Sequence, residues 1–175
     1  MNPRERIAIA GGSYELTWHR TGDPPPRSEI TQVSAICFSP DDRIVMISGD
    51  GQHWGIPGGH PKDGESCEET LRREVLEESC CEVGRSCLLG WQHVRDLADN
   101  SVHYQMRYCC RVNVRPFRPE HEISHRRLIA PSDFLRVLEY GSSPIAKELI
   151  ALAIEANEQM KITESQSTQP ENAGG

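Results

Sequence analysis

The stretch GGHPKDGESCEETLRREVLEE, residues 58–78, decides how this chain folds. Ser66 and Glu69 stand at the Ser-x-x-Glu spacing of a capping box, in which each partner satisfies an otherwise orphaned N–H group at a helix start. Behind it Cys67, Leu71 and Val75 recur every four residues, the period of one helical face. With Leu71 as origin and about 100° per residue, Glu78 lies about 20° away and Glu74 about 60°, whereas Arg73 points nearly opposite. Glu78 therefore falls inside the apolar stripe, Glu74 flanks it, and Glu77 is about 60° further round. A carboxylate aimed at a core is expensive to desolvate, and Glu74 one turn earlier adds like-charge repulsion. A bound cation relieves both costs. A solvated acidic face, the usual fate of a charge cluster, would instead set the acids opposite Leu71 and Val75. Oxygen-only donors favour Mg2+ or Mn2+ over zinc, and Mg2+ commonly shares its shell with waters and substrate phosphates.

Working outward, Asp23-Pro24-Pro25-Pro26 is a stiff break, since proline cannot donate to a ladder and biases its predecessor to extended forms. The compact domain is expected from Ser28. Residues 30–38 and 43–48 read as strands of a hairpin around the turn-forming Ser39-Pro40-Asp41-Asp42. Residues 102–114 alternate, with Val102, Tyr104, Met106, Tyr108, Cys110, Val112 and Val114 on one face and His103, Gln105, Arg107 and Arg111 on the other. That is a half-buried strand, and residues 88–95 are its expected partner through Asp96–Ser101. A second helix starts at Ser143-Pro144 and carries Ile145, Leu149, Leu152 and Ala153, and a shorter helical turn follows Pro131. From Ala156 the chain is polar and reads as a mobile tail. The expected organisation is an extension over 1–27, a mixed α/β domain over 28–155, and a tail over 156–175.

Composition narrows the function. Lys and Arg number 19 against 26 Asp and Glu, a net charge of −7, which argues against a general nucleic-acid surface. It leaves open a phosphate-bearing substrate reached through a cation. The acid is concentrated: residues 62–82 hold eight acids and three bases. No apolar run approaches the roughly 20 residues that span a bilayer, and residues 7–10 are too short for a signal-peptide core, so a cytoplasmic protein is expected. The seven cysteines form an odd number with two adjacent pairs and no Cys-x-x-Cys spacing, which reads as reduced thiols and no structural zinc.

Gly59, five residues, Glu65, seven residues, then Arg73-Glu74-Val75-Leu76-Glu77-Glu78 resembles the signature of the Nudix hydrolase family, and Trp54-Gly55-Ile56-Pro57-Gly58-Gly59 resembles its usual approach. The resemblance implies an α/β fold, a Nudix-type α/β/α sandwich with a mixed β-sheet. It implies a hydrolase that cleaves the diphosphate linkage of a nucleoside diphosphate derivative, water attacking phosphorus, with Mg2+ as cofactor and Mn2+ as a substitute. Carried over, Glu74 and Glu78 would be the main metal ligands, Glu77 a further one, and the Gly59 carbonyl another oxygen. Arg73 would orient these carboxylates, with Glu65 in a supporting role. The general base would be Glu74, Glu77 or Glu122, the last in a segment, Pro119-Glu120-His121-Glu122, that resembles a glutamate-bearing loop of some members. One departure stands out: Cys80 replaces the family's final glycine and Cys81 its aliphatic. A cysteine with positive φ costs on the order of 1 kcal/mol, so the helix is expected to run on slightly.

Other readings compete. A catalytically silent nucleotide-binding or regulatory module would keep the fold, but it has no need for the full set of Arg73, Glu74, Glu77 and Glu78. A metal-dependent isomerase would need an acid that no cysteine here is marked to supply. Arg107, Arg111 and Arg115 could meet phosphates, although solvated strand-edge charge is the plainer reading. Trp54, Trp91 and Tyr104 could stack on a base, although isolated aromatics near strands are usually core or rim. His53, His60 and His93 read as structural or incidental. The expected partner is a small nucleoside diphosphate derivative, with no membrane and no general nucleic-acid binding; many relatives pair, which leaves a homodimer open.

Overall fold

The structure, a computed structural model, describes residues 2–20 and 22–167. In chain order its strands are β1 (Arg4–Ile9), β2 (Gly12–His19), β3 (Ile30–Phe38), β4 (Ile44–Ser48), β5 (Gly58–Gly59), β6 (Cys81–Asp96), β7 (Val102–Val114) and β8 (His125–Ile129). Its helices are α1 (Cys67–Ser79), α2 (Phe134–Val137) and α3 (Pro144–Ser167). The strands form one sheet in the order β1-β2-β6-β7-β3-β4-β8, with β5 beside β3. β3 and β7 run parallel and the other pairs antiparallel, so the sheet is mixed. Among the described residues, no helix is long and apolar enough to cross a membrane.

Period-two side chains explain the layers. In β3, Val33, Ala35 and Cys37 join Leu71 and Val75 of α1, while Ile36 and Phe38 join Leu149 and Ala153 of α3 on the other face. The result is the expected α/β/α sandwich. Strands covered on both faces read as near-continuous apolar runs, as β3 and β4 do.

The sheet begins earlier than expected. β1 and β2 pair along their length, β2 pairs β6, and Leu16 and Trp18 are buried in the core on the α3 side. Tyr14, Leu16 and Trp18 carry the alternation of a buried strand, and the triple proline is a crossing between β2 and β3 rather than an outer boundary. The expected tail also needs correction. α3 continues past Ala156 because Ala153, Asn157 and Met160 extend its buried stripe, and the Lys161 Nζ pairs with Asp42 at 2.8 Å. Residues 168–175 of that tail lie outside the described residues.

Two strand readings shift. β6 runs from Cys81, well before residue 88, and pairs β7 throughout. The β3–β4 hairpin pairs only at Phe38 and Ile44, after which β3 takes β5 as partner and β4 takes β8. β7 is internal, so its odd face is not solvated edge: Cys109 is fully buried there, and the Arg111 guanidinium donates to Asp42 and Asn157. Arg115, at the end of the strand, pairs with Glu82.

Candidate active site

The capping box forms as its spacing predicts, with the Glu69 N–H donating to Ser66 Oγ at 3.2 Å and the Ser66 N–H donating to the Glu69 carboxylate at 2.7 Å. This fixes where α1 starts, and hence the angular position of every glutamate after it. Leu71 and Val75 are fully buried. Glu78, inside the same stripe, is half-buried and accepts the Gly58 N–H at 2.8 Å. Burial pushes the Glu78 carboxyl up to about 7; the Gly58 N–H opposes this, and the charges of Glu74, Glu122 and Glu77 add to it.

The helix does not run on. It ends at Ser79, and Cys80 takes the left-handed conformation (φ 52°, ψ 36°) that the glycine of the resemblance would adopt, its N–H donating to the Leu76 carbonyl. The Cys80 Sγ sits 3.4 Å from the Arg118 N and 3.5 Å from its carbonyl oxygen. These contacts, with β6 starting at the next residue, hold the strained turn in place.

β5 threads between β3 and α1, and at Gly58 the β3 backbone leaves room for glycine alone. A Cβ on Gly58 would lie 2.3 Å from the Ser34 Cβ, and one on Gly59 2.4 to 2.6 Å from the Glu74 carboxylate. The backbone of Gly59 therefore abuts Glu74.

Arg73 folds back and gathers three acids. Its Nε and Nη2 form a fork onto Glu65 at 2.6 and 2.9 Å, and its Nη1 donates to Glu74 at 2.6 Å and Glu77 at 3.2 Å. Nη2 also donates to the His60 carbonyl. The Arg73 fork, the Lys62 N–H and the Thr70 hydroxyl hold the Glu65 carboxyl down at about 2. The same carboxylates hold Arg73 above its ordinary range.

Glu74, Glu77 and Glu78 face His121, Glu122 and Ile123 across a cleft of about 220 Å³. The structure thus brings Glu122 to the helix, whereas Glu120 does not line the cleft. His121 borders it with no signal in the sequence beyond its place between the two glutamates. Among the described residues, no three carboxylate, imidazole or thiol side chains converge on one point as they stand. The donor set nonetheless suits a hard cation that keeps its waters. It is all oxygen, burial and then the neighbouring acids raise the cost of charging Glu78, and the cleft of about 220 Å³ has room for several waters at about 30 Å³ each.

The aromatic candidates lie elsewhere. The Arg127 guanidinium covers the Trp54 ring at 4.0 Å, Trp91 stacks on His19, and Tyr104 meets His93 edge-on. His53 pairs with Asp50. All seven cysteines are free.

The NUDIX domain family model matches residues 29–152. No curated protein matches the chain by sequence. A Bacillus subtilis pyrophosphohydrolase structure superposes with a TM-score of 0.60 at 19% identity, covering 87% of this chain and 92% of its own. A Caenorhabditis elegans Ap4A hydrolase gives 0.54 at 14%, covering 73% and 98%. A Streptococcus suis ADP-ribose pyrophosphatase gives 0.51 at 20%, covering 72% and 90%. At these identities the likenesses show the fold; the family model, with the box on its capped helix, shows that this chain belongs to the Nudix hydrolase family.

Proposed function

We propose that the chain is a Mg2+-dependent hydrolase of a nucleoside diphosphate derivative, with water attacking phosphorus, and that Mn2+ can substitute. The observation that supports it most is the half-buried Glu78, fixed on the Gly58 N–H and sharing one cleft with Glu74, Glu77 and Glu122. Bound there, a divalent ion would neutralise the diphosphate and polarise a water. Glu74 and Glu78 would be its main ligands, Glu77 a further one, and the Gly59 carbonyl, beside Glu74, another oxygen. Arg73 is a positioning residue: its Nη1 spans Glu74 and Glu77, and its fork on Glu65 anchors it to the loop before the helix.

The base assignment follows from who is already engaged. Glu74 and Glu77 both accept from Arg73, so each already has an oxygen engaged. Glu122 makes no hydrogen bond or ion pair among the described residues and faces the same cleft, so we assign it the proton of the attacking water. The substrates named for the relatives, ADP-ribose and Ap4A, are nucleotide derivatives of this class. The free thiols suit a reducing compartment and support the cytoplasm.

The test is a panel of nucleoside diphosphate derivatives with Mg2+ or Mn2+, scored for released nucleotide. Glu78→Gln is expected to lose most metal-dependent hydrolysis while its circular dichroism stays native. An unchanged rate would remove the mechanism. Nucleotide binding without product across the whole panel would favour a silent module instead.

A further inference from the structure

Two cavities flank β3. On the α3 side lies one of about 480 Å³, with Ser34 and Arg107 on its sheet floor, and on the α1 side lies the carboxylate cleft. Glu122 lines the cleft with no side-chain hydrogen bond of its own among the described residues. It belongs to a stretch, residues 113–122, that is exposed except at the half-buried Phe117. Across the cleft stand Glu74, Glu77 and Glu78, and like charges push such a loop outward. What keeps Glu122 beside the helix therefore lies at the two roots of its loop.

The far root is tied to the end of β4: the Ser124 N–H donates to the Ser48 carbonyl at 3.2 Å, and its hydroxyl to the Gly49 carbonyl at 2.6 Å. The near root is tied to the end of α1. There the Arg115 N–H donates to the Cys80 carbonyl at 3.1 Å, and the Arg118 N–H to Cys80 Sγ at 3.4 Å. Arg126 closes this root. β8 sets it opposite Ile47 of β4, and its Nη1 donates to the Ser79 carbonyl at 2.7 Å and to the Arg115 carbonyl at 2.9 Å. Its guanidinium also lies over the Phe117 ring, 5.0 Å from the centroid.

One side chain thus touches the last residue of α1, which follows Glu78 directly, and two residues of the loop that leads to Glu122. The last turn of α1 carries no base, so Arg126 also supplies the cation that a helix C-terminus favours. We propose that Arg126 is a positioning residue for Glu122: by clamping the near root of the loop to the end of α1, it holds that carboxylate across the cleft from Glu74, Glu77 and Glu78. Its consequence for catalysis rests on the base assignment made above. A clamp that served only the stability of the fold would act on the rate alike whether or not Glu122 is present; a positioning clamp acts through it.

The test measures kcat and KM on the best substrate of the panel for the wild type, Arg126→Met, Glu122→Gln and the double variant. Glu122→Gln is expected to lower kcat about a hundredfold, and Arg126→Met about tenfold with KM little changed. On the Glu122→Gln background, Arg126→Met should cost less than about twofold, because the group it positions is already gone. Losses of equal size in both backgrounds would overturn the proposal. Arg126→Lys, whose ammonium falls one atom short of Nη1, should repeat the pattern at smaller size, and it serves if Arg126→Met does not fold. The readout apart from activity is cleavage of the metal-free chain by a glutamate-specific protease. Cuts after Glu120 and Glu122 should come several-fold faster in the Arg126 variants, with cuts after Glu68 and Glu69 of α1 unchanged. Unaltered cleavage after Glu120 and Glu122 would also overturn the proposal. If the wild type hydrolyses nothing, or Glu122→Gln keeps its rate, the catalytic reading falls and cleavage alone decides the role of Arg126.

Discussion

Arg73 shows how one side chain can tie a loop to a group of carboxylates. Its forked contact with Glu65 is the shortest route by which the loop before α1 controls the carboxylates on it. Glu65 has its pKa depressed from 4.5 to about 2, so its contribution to stability is fully present above pH 4.5 and disappears as pH falls through about 2. Urea unfolding of the metal-free protein should therefore show wild type more stable than Glu65→Gln at pH 6, with the gap closing between pH 4.5 and 2. A gap that stays constant over that range would mean the Arg73 contact is not what depresses the carboxyl. The box residues were legible in sequence because their spacing lies within one helix and its cap. Arg107 was not: its alternation marks a face, and only the burial of that face by α3 distinguishes a cavity floor from solvated charge.

At the scale of the element, α1 is bounded by a cap that agrees with its propensity and a stop that does not. Ser66 and Glu69 are local signals, which is why the start could be read directly. The stop could not, because the left-handed conformation of Cys80 is imposed by β6, which must begin at Cys81 to pair with Val114. Cys80→Val should lower stability by about 1 kcal/mol, since a β-branched residue fits this region poorly, whereas Cys80→Gly should not lower it. Denaturant midpoints of the two variants decide this, and equal losses would show that the Cys80 thiol contacts, not the backbone, set the local stability. The far end of α3 failed for a similar reason. Asn157 and Lys161 look like tail residues until Asp42, more than a hundred positions earlier, is placed beside them.

For the whole molecule, the largest revision is the N-terminal hairpin. Trp18 is almost fully buried, so Trp18→Ala should cost about 3–5 kcal/mol by chemical denaturation. An unchanged midpoint would return residues 1–27 to the status of an appendage. The proline run suggested a boundary because local stiffness says nothing about which strands later become neighbours; β2 meets β6 across some seventy residues of chain. The mixed α/β class, by contrast, followed from strand and helix periods, and the α/β/α layering from the family resemblance.

In β3, Val33 faces α1 while Ser34, the next residue, borders the opposite cavity. A single strand thickness thus divides two surfaces, which meet where Ser34 fills the space a side chain at position 58 would need. Away from that contact, a change of side chain on one surface does not displace those on the other.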